Sequence, residues 1–177
     1  MHMNVYVNFN EVFDDKTAIS RLYCEKCGKY IPPEDIISND YYELNVQPNV
    51  IREWLENKKF YEKYLPFEKG SYEVLTTLHN LNFIITIFIP YNKYNANKYK
   101  IDLINNKLPY CNVNVLRSDK PKEVLSNCIY IDNSNTYEYS NTTHKISIGY
   151  DDKITNNFRG KDWYDVLNYL VHQTIIK

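Results

Sequence analysis

Polar side chains with chemical potential gather at and near the ends of apolar runs in this chain. Asn8 and Asn10 follow Val5–Val7, Thr86 sits within Phe83–Ile87, Lys120 precedes a proline, and Asp132 and Asn133 follow Cys128–Ile131. A carboxamide oxygen is a poor nucleophile, but its N–H₂ can donate to an anion. A threonine hydroxyl can do the same, and a lysine ammonium is a compact charge suited to phosphate. Asp132 offers the hard anionic oxygen that Mg²⁺ favours. Taken alone, Lys120 in Arg117-Ser118-Asp119-Lys120-Pro121-Lys122 reads as a solvated lysine.

Other candidates carry less. Cys24-x-x-Cys27 has the spacing of half a zinc site or a redox pair, but Cys111 and Cys128 lack a close Cys or His partner. The pair also lies inside a helical-looking run, and two ordinary thiols are the simpler reading. His79 and His144 have no ligand spacing, and Asp151-Asp152 reads as a solvated loop. Tyr41, Tyr42, Trp54, Phe60, Tyr61 and Tyr64 are candidates for a base-stacking pocket or for a small local core, with Trp54 and Phe60 favouring the core.

The elements that must position these residues follow from periodicity. Val5–Phe9 is a short β-branched and aromatic strand. Helical runs then occupy Thr17–Lys29, a start at Pro32–Ile36, and Asn49–Tyr64. After Gly70 an α/β rhythm sets in, with a helix over Ser71–Asn80 and the unalternated strand Phe83–Ile87. A helix over Tyr94–Leu108 and a strand over Asn112–Leu116 come next. Then follow a short helix over Pro121–Leu125, strands at Cys128–Ile131 and Lys145–Ile148, and a closing helix over Trp163–Ile175. Continuous apolar strands alternating with helices predict a Rossmann-like α/β core with a parallel sheet covered on both faces. The core would be residues 1–13 and 70–177, with 14–69 inserted as a small helical cap over the strands' carboxyl ends.

Composition narrows the classes. A chain of 177 residues fits one domain, or a core with a small insertion. A formal net charge of −1 with both signs interspersed gives no electrostatic case for nucleic acid or a membrane surface. The longest apolar run is too short to span a bilayer, and the start shows no leader pattern, so a cytoplasmic protein is the expectation. Abundant Asn, Lys, Tyr and Ile with only 4 Gly suggests an AT-rich genome, bacterial or viral, in which aspartate drifts readily to asparagine.

The order Asn8-x-Asn10, Thr86, Lys120, Asp132-Asn133 resembles the four signature motifs of the haloacid dehalogenase-like phosphatases, and within them the 5'(3')-deoxyribonucleotidases. Val7–Phe13 stands where that family shows a stretch like V-D-M-D-G-V-L. Tyr23–Gly28 with Pro33-Glu34-Asp35-Ile36 is similar to its cap segment. Ser118-Asp119-Lys120, Tyr130-Ile131-Asp132-Asn133 and Lys161–Leu167 resemble its R-D-K, L-I-D-D and terminal N-W-x-E-I segments. The resemblance implies that position 8 attacks phosphorus and position 10 acts as acid/base. Thr86 and Lys120 would hold phosphate, and Asp132 with position 133 would bind Mg²⁺.

The departures from the pattern decide what to expect. Asn8 replaces the nucleophile and Asn10 the acid/base, while Glu11 replaces a glycine, Ile87 a small residue and Asn133 an acid. A carboxamide cannot form the covalent phosphoaspartate, and lost general acid/base help alone costs about 10²–10⁴-fold. With Asp132 alone of the acids retained, Mg²⁺ is doubtful. The expectation is a pseudoenzyme, either an unused site or a binder of phosphate or a nucleoside monophosphate through Asn8, Asn10, Thr86 and Lys120. The rivals are an active Mg²⁺-dependent deoxyribonucleotidase and a scaffold for a protein partner. Substitutions made to trap a substrate would need one or two changes, and those at Glu11, Ile87 and Asn133 argue against that origin.

Overall fold

The computed structural model describes residues 3–36, 48–90, 96–116, 124–133, 137–149 and 158–173. Its framework is a six-stranded sheet in which every pairing is parallel. The strands are β1 (Asn4–Asn8), β2 (Ile84–Pro90), β3 (Asn112–Leu116), β5 (Cys128–Ile131), β7 (His144–Ile148) and β8 (Phe158–Gly160), in the order β3-β2-β1-β5-β7-β8. Two short strands, β4 (Val124–Leu125) and β6 (Glu138–Tyr139), pair parallel in a separate ribbon. The short helix expected over Pro121–Leu125 is therefore corrected at its end. Val124 and Leu125 are extended, because Leu125 packs inward and the pair hydrogen-bonds to β6, while residues 121–123 lie outside the described residues.

Alternation along the strands assigns the two faces. Val5, Val7, Ile85, Ile87, Ile89, Ile129, Ile131, Ile146 and Ile148 build the larger core. Val74, Leu75 and Leu78 of α4 (Ser71–Asn80), Leu103 and Ile104 of α5 (Ala96–Lys107), and Trp163, Val166 and Leu170 of α6 (Trp163–His172) join them there. The opposite face carries Tyr6, Phe88 and Tyr130, which pack with Leu125, Cys128, Tyr137 and Tyr139. Among the described residues this second face is covered by an aromatic layer and the β4–β6 ribbon, not by a helix.

Between β1 and α4 the chain makes an excursion with its own core. Helix α1 (Phe9–Val12) is a single turn, followed by α2 (Asp15–Cys27), a 3₁₀ turn (Pro33–Asp35), α3 (Pro48–Leu55) and a π-helical turn (Phe60–Tyr64). Asp14 caps α2 by accepting the Thr17 N–H at 2.8 Å, and Gly28 ends it in the left-handed region at φ 68°. The helix expected over Asn49–Tyr64 is thus broken into α3 and the π turn. Ala18, Ile19, Leu22, Tyr23, Ile51, Phe60, Tyr61 and Tyr64 are buried together with Ala96 of α5. Tyr61 and Tyr64 hydrogen-bond to Leu55 O and Glu25, so they serve this small core. Trp54 packs against it, while Tyr41 and Tyr42 lie outside the described residues.

The chain leaves and re-enters the sheet region through two adjacent segments. Asp14 N–H donates to Pro66 O at 3.0 Å, and Glu68 N–H to Val12 O at 2.8 Å. Phe13 and Phe67 stack between them with centroids 4.9 Å apart, and the Ser71 hydroxyl also donates to Val12 O. Gly70 adopts φ 82°, and a Cβ there would lie 2.9 Å from the Tyr164 ring, so both conformation and space require glycine.

Candidate functional site

The carboxyl ends of β1, β5 and β7 bring Asn8, Asp132, Asn133 and Glu11 together with two residues that sequence reasoning passed over, Lys145 and Tyr130. Asn8 ends β1 and caps α1. Its side-chain carbonyl accepts the Asn10 N–H at 3.1 Å, while its Nδ2 donates to Asp132 Oδ1 at 2.9 Å. Asn8 is 3% exposed and Asp132 is fully buried. The second oxygen of Asp132 accepts the Tyr130 hydroxyl, whose own oxygen takes the Tyr137 N–H. Both carboxylate oxygens are thereby engaged by protein donors.

Asn133 acts as a splice in the sheet. It donates to Ile148 O at 2.6 Å and accepts the Ile148 N–H at 2.8 Å, a two-way pattern that an ionised carboxylate cannot supply. An acid there would lose the donor and set its charge against a carbonyl. Its N–H donates to Glu11 Oε1 at 3.1 Å. Glu11 follows Asn8 in the helical turn, and its backbone carbonyl receives the Trp163 Nε1–H at 2.7 Å.

Lys145 pairs across the sheet with Tyr130, on the face opposite Ile146. Its side chain is fully buried, its ammonium lies 4.1 Å from the centroid of the Tyr130 ring, and it donates to Asp132 O. Its signal in the sequence was the alternation His144-Lys145-Ile146-Ser147-Ile148, which places a lysine inward on the second face if the strand is internal. Here β7 runs between β5 and β8.

The remaining candidates lie elsewhere. Asn10 is exposed, and only its backbone N–H is tied to Asn8. Thr86 is half-buried in the middle of β2, opposite Tyr6, and the residue level with Asn8 is Phe88. The strand runs on to Pro90, because Phe88 and Ile89 continue the apolar run into the core. Lys120 lies outside the described residues, as do Asp151 and Asp152. Cys24 and Cys27 are exposed free thiols on the last turn of α2, and Cys111 and Cys128 are buried.

Burial pushes the Glu11 carboxyl up to about 8, with the nearby Asp132 charge adding to it and the Asn133 N–H and Lys145 opposing it. Burial likewise lowers the Lys145 ammonium to about 8, against the pull of Asp132 and Glu11. A carboxyl raised in the folded state stabilises the fold below its ordinary value of 4.5, and that contribution is lost as pH rises to about 8. The lowered lysine acts in the other window, where stability present above 10.5 is lost as pH falls to about 8. Urea unfolding should therefore show stability declining between pH 4.5 and 8, and Glu11→Gln should flatten that slope. An unchanged slope in the variant would assign it to other groups.

These residues do not fit a Mg²⁺ site. The ion demands a near-octahedral oxygen shell, yet each oxygen of Asp132 already accepts a protein donor, and positions 8 and 133 present carboxamides already in use. Among the described residues no three Asp, Glu, His or Cys side chains group as ligands. Nor, among them, is any helix long and apolar enough to cross a membrane.

No protein-family model and no curated protein matches the sequence. Solved structures do share the fold. A HAD-superfamily hydrolase from Ehrlichia chaffeensis aligns over 97% of this chain and 98% of its own, with TM-score 0.51 and 17% identity. A haloacid dehalogenase-like hydrolase from Bacteroides fragilis aligns over 94% and 100%, with TM-score 0.52 and 11% identity. A HAD hydrolase of family IA, variant 3, from Entamoeba histolytica aligns over 93% and 95%, with TM-score 0.50 and 9% identity. The chain thus has the α/β fold of the haloacid dehalogenase superfamily hydrolases, a six-stranded parallel sheet flanked by helices.

Proposed function

We propose that this chain is a deoxyribonucleotidase-like pseudoenzyme, a phosphatase fold with residues 14–69 as its cap and no phosphoryl-transfer activity. The observation that carries this reading is the state of Asn8. The residue at the nucleophile position is a carboxamide, and both of its ends are held inside the protein, one by Asn10 N–H and the other by Asp132. A nucleophile must present a free lone pair to an incoming phosphorus, and this side chain presents neither the charge nor the access.

Retained binding of phosphate or a nucleoside monophosphate takes a narrower form. Asn8 spends its amide on Asp132, so the donors would be Asn10 at the surface and Lys120. The test is phosphate release from deoxynucleoside monophosphates and from p-nitrophenyl phosphate with millimolar Mg²⁺. The expected result is release at the rate of a no-protein control. Turnover that saturates with substrate and disappears in Asn8→Ala and Asn10→Ala variants would overturn the reading.

A further inference from the structure

We propose that Lys145 is a built-in cation at the strand ends, whose ammonium takes the place of a divalent metal and leaves the site with neither need nor room for one. The inference concerns the same residues as the proposed loss of activity but does not depend on it, because an inactive site could still hold Mg²⁺.

A fully buried ammonium is costly unless it is paired and hydrogen-bonded, so its surroundings identify its role. Lys145 donates to the Asp132 carbonyl, lies over the Tyr130 ring, and sits in the field of the Asp132 and Glu11 carboxyls. The ring face is attractive to a cation and repels an anion. Tyr130 completes the arrangement by donating its hydroxyl to Asp132, so one aromatic side chain contacts both members of the charged pair.

Charge balance explains why one ammonium is sufficient. A divalent ion is matched by several carboxylates, whereas here positions 8, 10 and 133 are neutral amides. Among the described residues the acids at the strand ends are Asp132, bonded by Asn8 and Tyr130, and Glu11, bonded by the Asn133 N–H. Lys145 sets one buried ammonium at the same place, bonded to the backbone carbonyl of Asp132. The asparagines and the lysine therefore form a matched set: restoring an acid without a metal would unbalance the site, and so would removing the lysine.

The intact 177-residue chain is suited to the test, with thermal unfolding and metal content as readouts and activity left aside. The parent should keep the same Tm in millimolar Mg²⁺, in Mn²⁺ and in chelator, and should carry no stoichiometric metal after dialysis. Lys145→Met keeps the length and removes the charge, and it should lower Tm by roughly 10 °C. Adding Asp132→Asn to it should recover much of that loss, because the uncompensated carboxylate goes with it. A parent that binds Mg²⁺ stoichiometrically, or gains several degrees from it, would overturn the proposal. So would a double variant no more stable than Lys145→Met alone, a result that would make Lys145 a packing residue. If Lys145→Met fails to fold, the double variant decides by itself, since charge compensation requires it to fold.

Discussion

Asn8→Asp, the change that would restore the nucleophile implied by the family resemblance, should destabilise the protein by about 3–5 kcal/mol near pH 8. Aspartate caps a helix as well as asparagine does, so the bond to Asn10 N–H survives and the effect is confined to the other end of the side chain. There an N–H donor 2.9 Å from Asp132 Oδ1 is replaced by a second carboxylate oxygen in a buried site. Two carboxylates so placed share a proton, which raises the value of one of them. A raised value means stability that is present at low pH and lost as pH rises. The variant should therefore approach the parent near pH 4 and fall furthest below it in mild alkali. Asn10→Asp is the control. That residue is exposed in the first turn of α1, where a negative charge is tolerated, and its cost should stay within about 0.5 kcal/mol. Denaturant unfolding of both variants at acid and alkaline pH separates the two. If Asn8→Asp matches the parent throughout, Asn8 and Asp132 are not in contact and the locked-site reading fails. Even where it folds, the variant lacks an acid/base at position 10, so no turnover is expected from it.

The sequence revealed the sheet far better than it revealed the site. β1, β2 and β5 are built on largely apolar runs, and such runs name buried parallel strands whatever the tertiary detail. Registry is another matter. Thr86 was placed at the site by the family resemblance, yet Phe88 and Ile89 carry the strand on, and Phe88 is the residue level with Asn8. Nothing local states where a neighbouring strand stops. Asn8 carried a signal that went unread: Asn-x-x-Glu ahead of a short apolar turn is a helix start, and a residue that caps a helix has its acceptor committed. Lys145 was harder still. A lysine in a five-residue strand reads as solvent-facing until β8 is known to close the sheet beyond it. Strand β8, Phe158-Arg159-Gly160, has no strand-like composition of its own and exists by pairing with β7.

Trp163→Ala should be the most damaging single truncation outside the strands, with an expected loss of about 3–5 kcal/mol from packing alone. The ring is fully buried where α6 closes over the larger core, and its Nε1–H holds the Glu11 carbonyl. Trp163→Phe divides the effect. It keeps most of the apolar contact and removes the donor, so it should cost the smaller share, about 1–3 kcal/mol for an orphaned buried acceptor. The two variants differ in consequence as well as size. Glu11 is held from three sides, by Trp163 at its carbonyl, by Asn133 at its carboxyl and by the α1 turn that Asn8 caps. Release of the first restraint lets the turn relax and the carboxyl hydrate, so its raised value should fall back towards 4.5. Trp163→Phe should then show a shallower loss of stability between pH 4.5 and 8 than the parent shows. A variant with lower stability but the parent's full pH slope would mean that Trp163 braces the core without positioning Glu11. A shallower slope would tie the C-terminal helix to the electrostatics of Glu11, 152 residues earlier in the chain.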